Sequence, residues 1–112
     1  MRNLLIVIAT LLGLAGPAWA NWRSEIDAGI AAYFSGDVDT AIAHYTKAIE
    51  LKPDSAEAYE HRGVAYVPKK LYDQAIADFT KAIQLKPDFA VAYRLRGIAY
   101  GGKRPYDQAI AD

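Results

Sequence analysis

The sequence contains no cysteine. That removes disulfides, thiolate metal ligands, a thiol nucleophile and a cysteine-linked lipid anchor from what these residues can do. It carries no surplus of either charge, since 13 basic and 13 acidic residues give a formal net charge of zero. Nucleic-acid binding usually shows as a clustered basic surface, so no nucleic-acid partner is expected. Histidine is scarce, with only His44 and His61. Long apolar runs are missing too. The stretch Leu4–Leu14 is about half of the roughly 20 residues that a membrane-spanning helix needs.

That short run has a telling context. Arg2 stands before it, and the small-residue motif Ala18-Trp19-Ala20 closes it. These are the three parts of a secretory signal peptide. Residues 1–20 are therefore expected to be removed at Ala18 and Ala20, leaving a mature chain that begins at Asn21. Export fits a periplasmic or secreted protein. The alternative is an uncleaved anchor that tethers the chain to a membrane.

Beyond residue 20 the sequence is repetitive. Lys52–Asp78 laid over Lys86–Asp112 matches at 18 of 27 positions, and Val38–Asp54 over Tyr72–Asp88 matches at 12 of 17, both at an offset of 34. Gly29, Gly63 and Gly97 keep that step, as do Pro53 and Pro87. A fixed period of this length marks a stacked array of supersecondary units.

Each unit reads as two helices. Over Ala56–Val67, Tyr59, Gly63 and Tyr66 recur at steps of four and three, which aligns them on one helical stripe. Asp54 or Ser55 can cap this helix, and Glu57 completes a capping-box-like pattern. Pro68 pushes its predecessor out of the α region, so the helix should stop early or kink there. The second helix, about Asp73–Leu85, has Ala75, Ile76, Phe79, Ala82 and Ile83 as its apolar stripe, and Pro87 ends it. Glycine inside a helix costs roughly 1 kcal/mol against alanine. Its return at Gly63 and Gly97 implies a partner helix too close to admit a side chain. Ala75, Ala82 and Ala109 do the same from the second helix.

The pattern Tyr59, Arg62, Gly63, Tyr66, Ala75, Phe79, Pro87 resembles the tetratricopeptide repeat, a 34-residue helix–turn–helix unit. Tyrosine stands for the family's tryptophan and arginine for its leucine at the start of the motif. The first unit diverges most, with Glu25 and Ala32 where the later units have tyrosine. The resemblance implies an all-α helix–turn–helix repeat solenoid over 21–112, with units at about 22–55, 56–89 and 90–112. The third is expected to be incomplete, because Asp112 falls about halfway along its second helix. The chain thus holds about two and two-thirds repeats, a truncated array.

In this family the first helices line a concave groove that takes peptides. The groove stripe is expected to hold Glu57, Glu60, His61 and Val64, with Arg23, Ile26, Asp27 and Ile30 before them and Val91, Arg94, Leu95 and Ile98 after. Tyr33 and Val67 extend it by a turn. Ile30, Val64 and Ile98 would form an apolar floor inside a charged rim, the usual character of a protein-binding surface. Some members grip a partner's C-terminal carboxylate with Lys, Asn and Arg in this stripe. Ile26, Ile30, His61, Val91 and Leu95 occupy those places here, so a carboxylate clamp is not expected.

Nothing in the pattern asks for catalysis. His44 aligns with Asp78 and Asp112 and is expected on the solvated surface. Glu57, Glu60 and His61 share a helix face but fall short of a metal ligand set. Asp37, Asp73 and Asp107 suit helix starts. Gly101-Gly102 reads as a loose helix end, with Lys69-Lys70 and Lys103-Arg104 in turns. The expected function is an exported scaffold for a protein or peptide partner, with no enzyme activity, metal or cofactor. The alternatives are an accessory repeat region or fragment of a larger cell-envelope protein or enzyme, a structural protein that self-associates through its C-terminal end, and a decayed gene remnant.

Overall fold

The computed structural model describes residues 21–111, with side chains described for 21–103. The expected signal peptide, including Ala18 and Ala20, lies outside the described residues. So do the side chains of the second Tyr-Asp-Gln-Ala-Ile-Ala-Asp copy, which ends at Asp112. Among the described residues the chain is all-α: α1 Trp22–Phe34, α2 Val38–Leu51, α3 Ala56–Tyr66, α4 Tyr72–Leu85 and α5 Ala90–Ala111.

The helix ends follow local chemistry. Asp37 caps α2, where the Thr40 N–H donates to Oδ1 at 3.2 Å and the Thr40 hydroxyl to Oδ2 at 2.7 Å. These two bonds hold the Asp37 carboxyl below its usual range. Ser55, and not Asp54, caps α3 by accepting the Ala58 N–H. Pro68 acts as its position predicts: α3 stops at Tyr66, a 3-10 turn covers Val67–Lys69, and Lys70 takes a left-handed conformation with φ 60°. The chain can then reverse into α4.

Packing follows the period. At Gly29 an added Cβ would stand 2.4 Å from the Tyr45 ring, and at Gly63 it would stand 2.6 Å from the Phe79 ring. Each glycine thus seats the aromatic that lies sixteen residues later on its own second helix. A second seam joins the units. Ala58 packs with Ile26 and Ala48, and Ala65 with Ala41 and Tyr45. One period later, Ala99 packs with Ala75 and Phe79, and Ala92 with Ala82 and Ile83. The seam thus gives α3 and α5 a buried face toward the unit before. Ion pairs repeat with the same step: Lys69 Nζ to Asp39 and Lys103 Nζ to Asp73, both 2.6 Å.

The third unit departs from the expected hairpin. Gly101 and Gly102 are not a loose end but lie inside α5, which continues to Ala111. Gly102 has a packing reason, since a Cβ there would stand 2.7 Å from the Tyr72 ring. Residues 106–112 repeat the sequence of the start of α4, 72–78, yet the helix that begins at Ala90 runs on through them to Ala111. Gly97 likewise lacks the expected close neighbour, with nothing among the described residues within 4 Å of its would-be Cβ.

Candidate functional site: the row of first helices

α1 meets α3 directly as well as through α2, so equivalent positions of successive first helices come side by side. Arg23 and Glu57 are one period apart, and Arg23 Nη1 donates to both Glu57 oxygens at 2.9 Å. Beside them, His61 Nε2 lies 3.6 Å from Glu57 Oε1, and His61 Nδ1 lies 3.4 Å from Glu60 Oε2. The His61 ring stacks on Tyr45, with centroids 5.5 Å apart and planes 18° from parallel. Arg23, Glu57, Glu60 and His61 thus form one polar cluster resting on a buried tyrosine.

Burial sets the electrostatics of this cluster. Loss of water pushes the Glu60 carboxyl above its usual range, with His61 pulling it down and Glu57 pushing it up. The Tyr45 hydroxyl is pushed up to about 12, first by burial, then by Glu60 and Tyr33. A raised carboxyl favours the protonated folded state. The stability it contributes is therefore present below its unfolded pKa of about 4.3 and is lost as pH rises through the folded value. Glu60→Gln is expected to raise the melting temperature at pH 8, with the gain fading towards pH 4. A loss of stability at pH 8 would show that the charged form is the favoured one.

The other groove candidates divide. Ile26 is not in the groove at all. It is wholly buried between Ala48 and Ala58, because the α1–α3 approach closes over it. Ile30 and Tyr33 are half-buried against the same seam. Val64 and Leu95 pack partly into the Ala75–Phe79–Ala99 cluster, so Val64 is as much core as floor. Val91 is half-buried, Arg94 is exposed, and Ile98 is 54% exposed. The apolar floor is thus discontinuous, with Ile98 as its open part. Among the described residues, no three histidine, aspartate or glutamate side chains are arranged to hold a metal. None of the described helices is long and apolar enough to cross a membrane.

Two polar positions behave differently from expectation. Asp78 is not solvated but 5% exposed. Arg62 donates to it from Nε at 2.8 Å and from Nη2 at 2.9 Å, while Nη1 donates to Thr46 of the preceding unit at 3.2 Å. The Arg62 guanidinium also lies over the rings of Tyr59 and Tyr66. His44, aligned with Asp78, is partly buried, and its Nδ1 lies 2.7 Å from Glu25 Oε2.

A family model described as TPR repeat matches residues 29–70 and 65–103. Among solved structures, the Arabidopsis OM64 TPR domain is 29% identical, with a TM-score of 0.77 over 85% of this chain and 78% of that one. The second TPR of Spaghetti (RPAP3), solved bound to the HSP90 peptide SRMEEVD, is 30% identical, with a TM-score of 0.73 over 74% of this chain and 77% of that one. MamA is 32% identical, with a TM-score of 0.72 over 80% of this chain and 49% of that one. A curated relative, the Hsp70-Hsp90 organizing protein of Triticum aestivum, is 41% identical over 49 residues. That stretch is 44% of this chain and 8% of the relative's length.

Proposed function

The chain belongs to the TPR repeat family, and from that premise we propose that it is an exported protein-interaction scaffold holding a segment of a partner protein along its first helices. The observation that carries this reading is the set of neighbours solved with bound peptides. They include RPAP3 and yeast Sti1 TPR domains, with TM-scores of 0.73–0.75. The role is binding, without a catalytic step. It holds equally if these repeats serve as an accessory region of a larger cell-envelope protein.

The cluster on α1 and α3 narrows the partner. A peptide as acidic as SRMEEVD would bring its carboxylates against Glu57 and Glu60, and like charges at an interface are strongly disfavoured. Partners are therefore expected to be neutral or basic along the segment that crosses α3. Peptides selected from a random library on the chain beginning at Asn21 should lose at least about tenfold in affinity, about 1.4 kcal/mol, with Glu57→Lys and Arg94→Glu together. Arg94 is exposed, and Glu57 loses a solvent-facing ion pair with Arg23 of a kind usually worth about 0–1 kcal/mol, so the fold should survive. Selected peptides that bind this double variant as tightly as the parent would remove the groove assignment.

Export rests on Arg2, the Leu4–Leu14 run and Ala18-Trp19-Ala20. Cleavage after Ala20 would leave α1, which begins at Trp22, whole. N-terminal sequencing of the protein recovered from its native source should read Asn-Trp-Arg-Ser. A sequence that begins at Met1 on a cytoplasmic chain would contradict it.

A further inference from the structure

His61 stands between two carboxylates of its own helix, with Glu57 Oε1 3.6 Å from Nε2 and Glu60 Oε2 3.4 Å from Nδ1. Both ring nitrogens therefore face an acid, and stacking on Tyr45 of α2 fixes the ring plane. A neutral imidazole carries one N–H and leaves its other nitrogen as a bare lone pair, whereas the protonated ring offers a donor on each side. Only the charged ring serves both neighbours. The two carboxylates differ in what else they meet. Glu57 takes both bonds from Arg23. Among the described residues, Glu60 has no ion pair other than the one with His61. With Glu60 ionised and the ring neutral, Arg23, Glu57, Glu60 and His61 carry one net negative charge, and a proton on the ring cancels it. The other charges near the ring are these. On α1, Asp27 stands one period before His61, and Glu25 lies 2.7 Å from His44 of α2, the one other imidazole of the chain. The Tyr45 hydroxyl, pushed up to about 12, stays uncharged. On the α4 side Arg62 and Asp78 neutralise each other. On α5, exposed Arg94 stands one period after Glu60.

We propose that His61 is a proton-operated release for the groove. While the ring is neutral, Glu60 holds a basic side chain of the partner segment; when the ring takes a proton, it claims that carboxylate and the segment is let go. The inference rests on the groove reading given above and adds its regulation. The partner's cation and the proton on His61 compete for one acid, so each weakens the binding of the other by the same factor, since linkage between binding sites is reciprocal. Imidazoles as a class change charge between about pH 5 and 8, so a mild fall in pH suffices. Glu57 cannot take over the role of Glu60, because Arg23 already occupies both of its oxygens.

The test uses acetylated, amidated library peptides that contain lysine or arginine but no histidine, aspartate or glutamate, so that their own charge is the same at pH 8 and pH 5.5. They are selected at pH 8 on the chain beginning at Asn21, and those weakened by Glu57→Lys with Arg94→Glu are kept. Their affinity is expected to fall at least about fivefold from pH 8 to pH 5.5, the lower end of usual coupling between sites. His61→Gln should bind equally at both pH values. So should His61→Phe, which keeps a ring against Tyr45, while His44→Gln should retain the full dependence. In the parent chain the midpoint of the affinity change should coincide with titration of the His61 ring, followed by NMR, and not with that of His44. Equal affinity at the two pH values overturns the proposal, and so does a fall that persists in both His61 variants. If that persistent fall is abolished by Glu60→Gln, the titrating proton belongs to the carboxyl that burial raises, and not to the ring. If no selected peptide responds to the Glu57–Arg94 double variant, the groove reading falls and the release with it. A groove-dependent peptide that ignores pH removes the release alone.

Discussion

Gly63→Leu is expected to destabilise the protein by about 1–3 kcal/mol through overpacking, which for a domain of this size lowers the melting temperature by on the order of 10 °C. The cause is local. A Cβ at Gly63 would stand 2.6 Å from Phe79 Cε1 and 2.9 Å from Cδ1, and Phe79 is wholly buried. The ring cannot swing outward, because Ala75 and Ala99 pack against it from α4 and α5. Relief must therefore come from separation of α3 and α4, which would loosen the seam to α5 as well. Leucine is the better helix former by about 0.8–1 kcal/mol, so propensity alone predicts the opposite sign. Gly97→Leu supplies the internal control, since no atom of the described residues lies within 4 Å of its would-be Cβ and the same exchange there keeps the propensity gain. Thermal melts of the two variants should move in opposite directions. If both rise, the α3–α4 contact is not as close as described.

That contrast also marks what the sequence can carry. The 34-residue step establishes which positions are equivalent, and the glycine, alanine and proline positions give the paired helices, their caps and their stops. Equivalence does not say which face of a helix is covered. Tyr59, Gly63 and Tyr66 are legible as a core stripe because their spacing is helical. The stripe Ala58–Ala65 faces the preceding unit, and small residues scattered among glutamates and a histidine carry little periodic signal. The step back from Glu60 puts Ile26 in the groove, yet the closer approach of α1 to α3 buries it. The run of α5 through Gly101 and Gly102 is not legible either, because the close neighbour of Gly102 is the Tyr72 ring of another helix. The cluster of Arg23, Glu57 and His61 is legible as a face. Its stacking on Tyr45 is not, because that contact joins α3 to α2 of the unit before.

Asp78 carries a signal that sequence reasoning can use. An aspartate is mostly exposed unless it is paired, so by itself it reads as solvated. Yet arginine and aspartate sixteen residues apart occur together at Arg62 and Asp78 and again at Arg96 and Asp112, and in the first unit both are replaced, by Ala28 and His44. Paired presence and paired loss is what a buried ion pair leaves in a repeat sequence. It also accounts for the arginine that stands where the family has leucine.

Arg62→Leu, which restores the family's residue, is accordingly expected to harm this protein, by about 3 kcal/mol at neutral pH, as for other buried pairs that lose one partner. Burial pushes the Asp78 carboxyl above its usual range, and the Arg62 hydrogen bonds and charge pull it back. With leucine at 62 only the upward cause remains. The folded state then holds the Asp78 proton more tightly than the unfolded chain, whose carboxyl titrates at about 3.9. Stability from that proton is fully present below the unfolded value and is lost as pH rises through the folded one. The deficit of the variant against the parent should therefore be small near pH 4 and grow towards pH 7. Urea unfolding at the two pH values measures it. Adding Asp78→Ala removes the stranded carboxylate, so the double variant should be more stable at pH 7 than Arg62→Leu alone. The cycle of single and double variants isolates the coupling between the two residues. Loss of the Thr46 contact is common to both variants and cancels in that comparison. A deficit that does not change with pH, or a double variant no better than the single, would mean that Arg62 acts through packing against Tyr59 and Tyr66 and not through its charge.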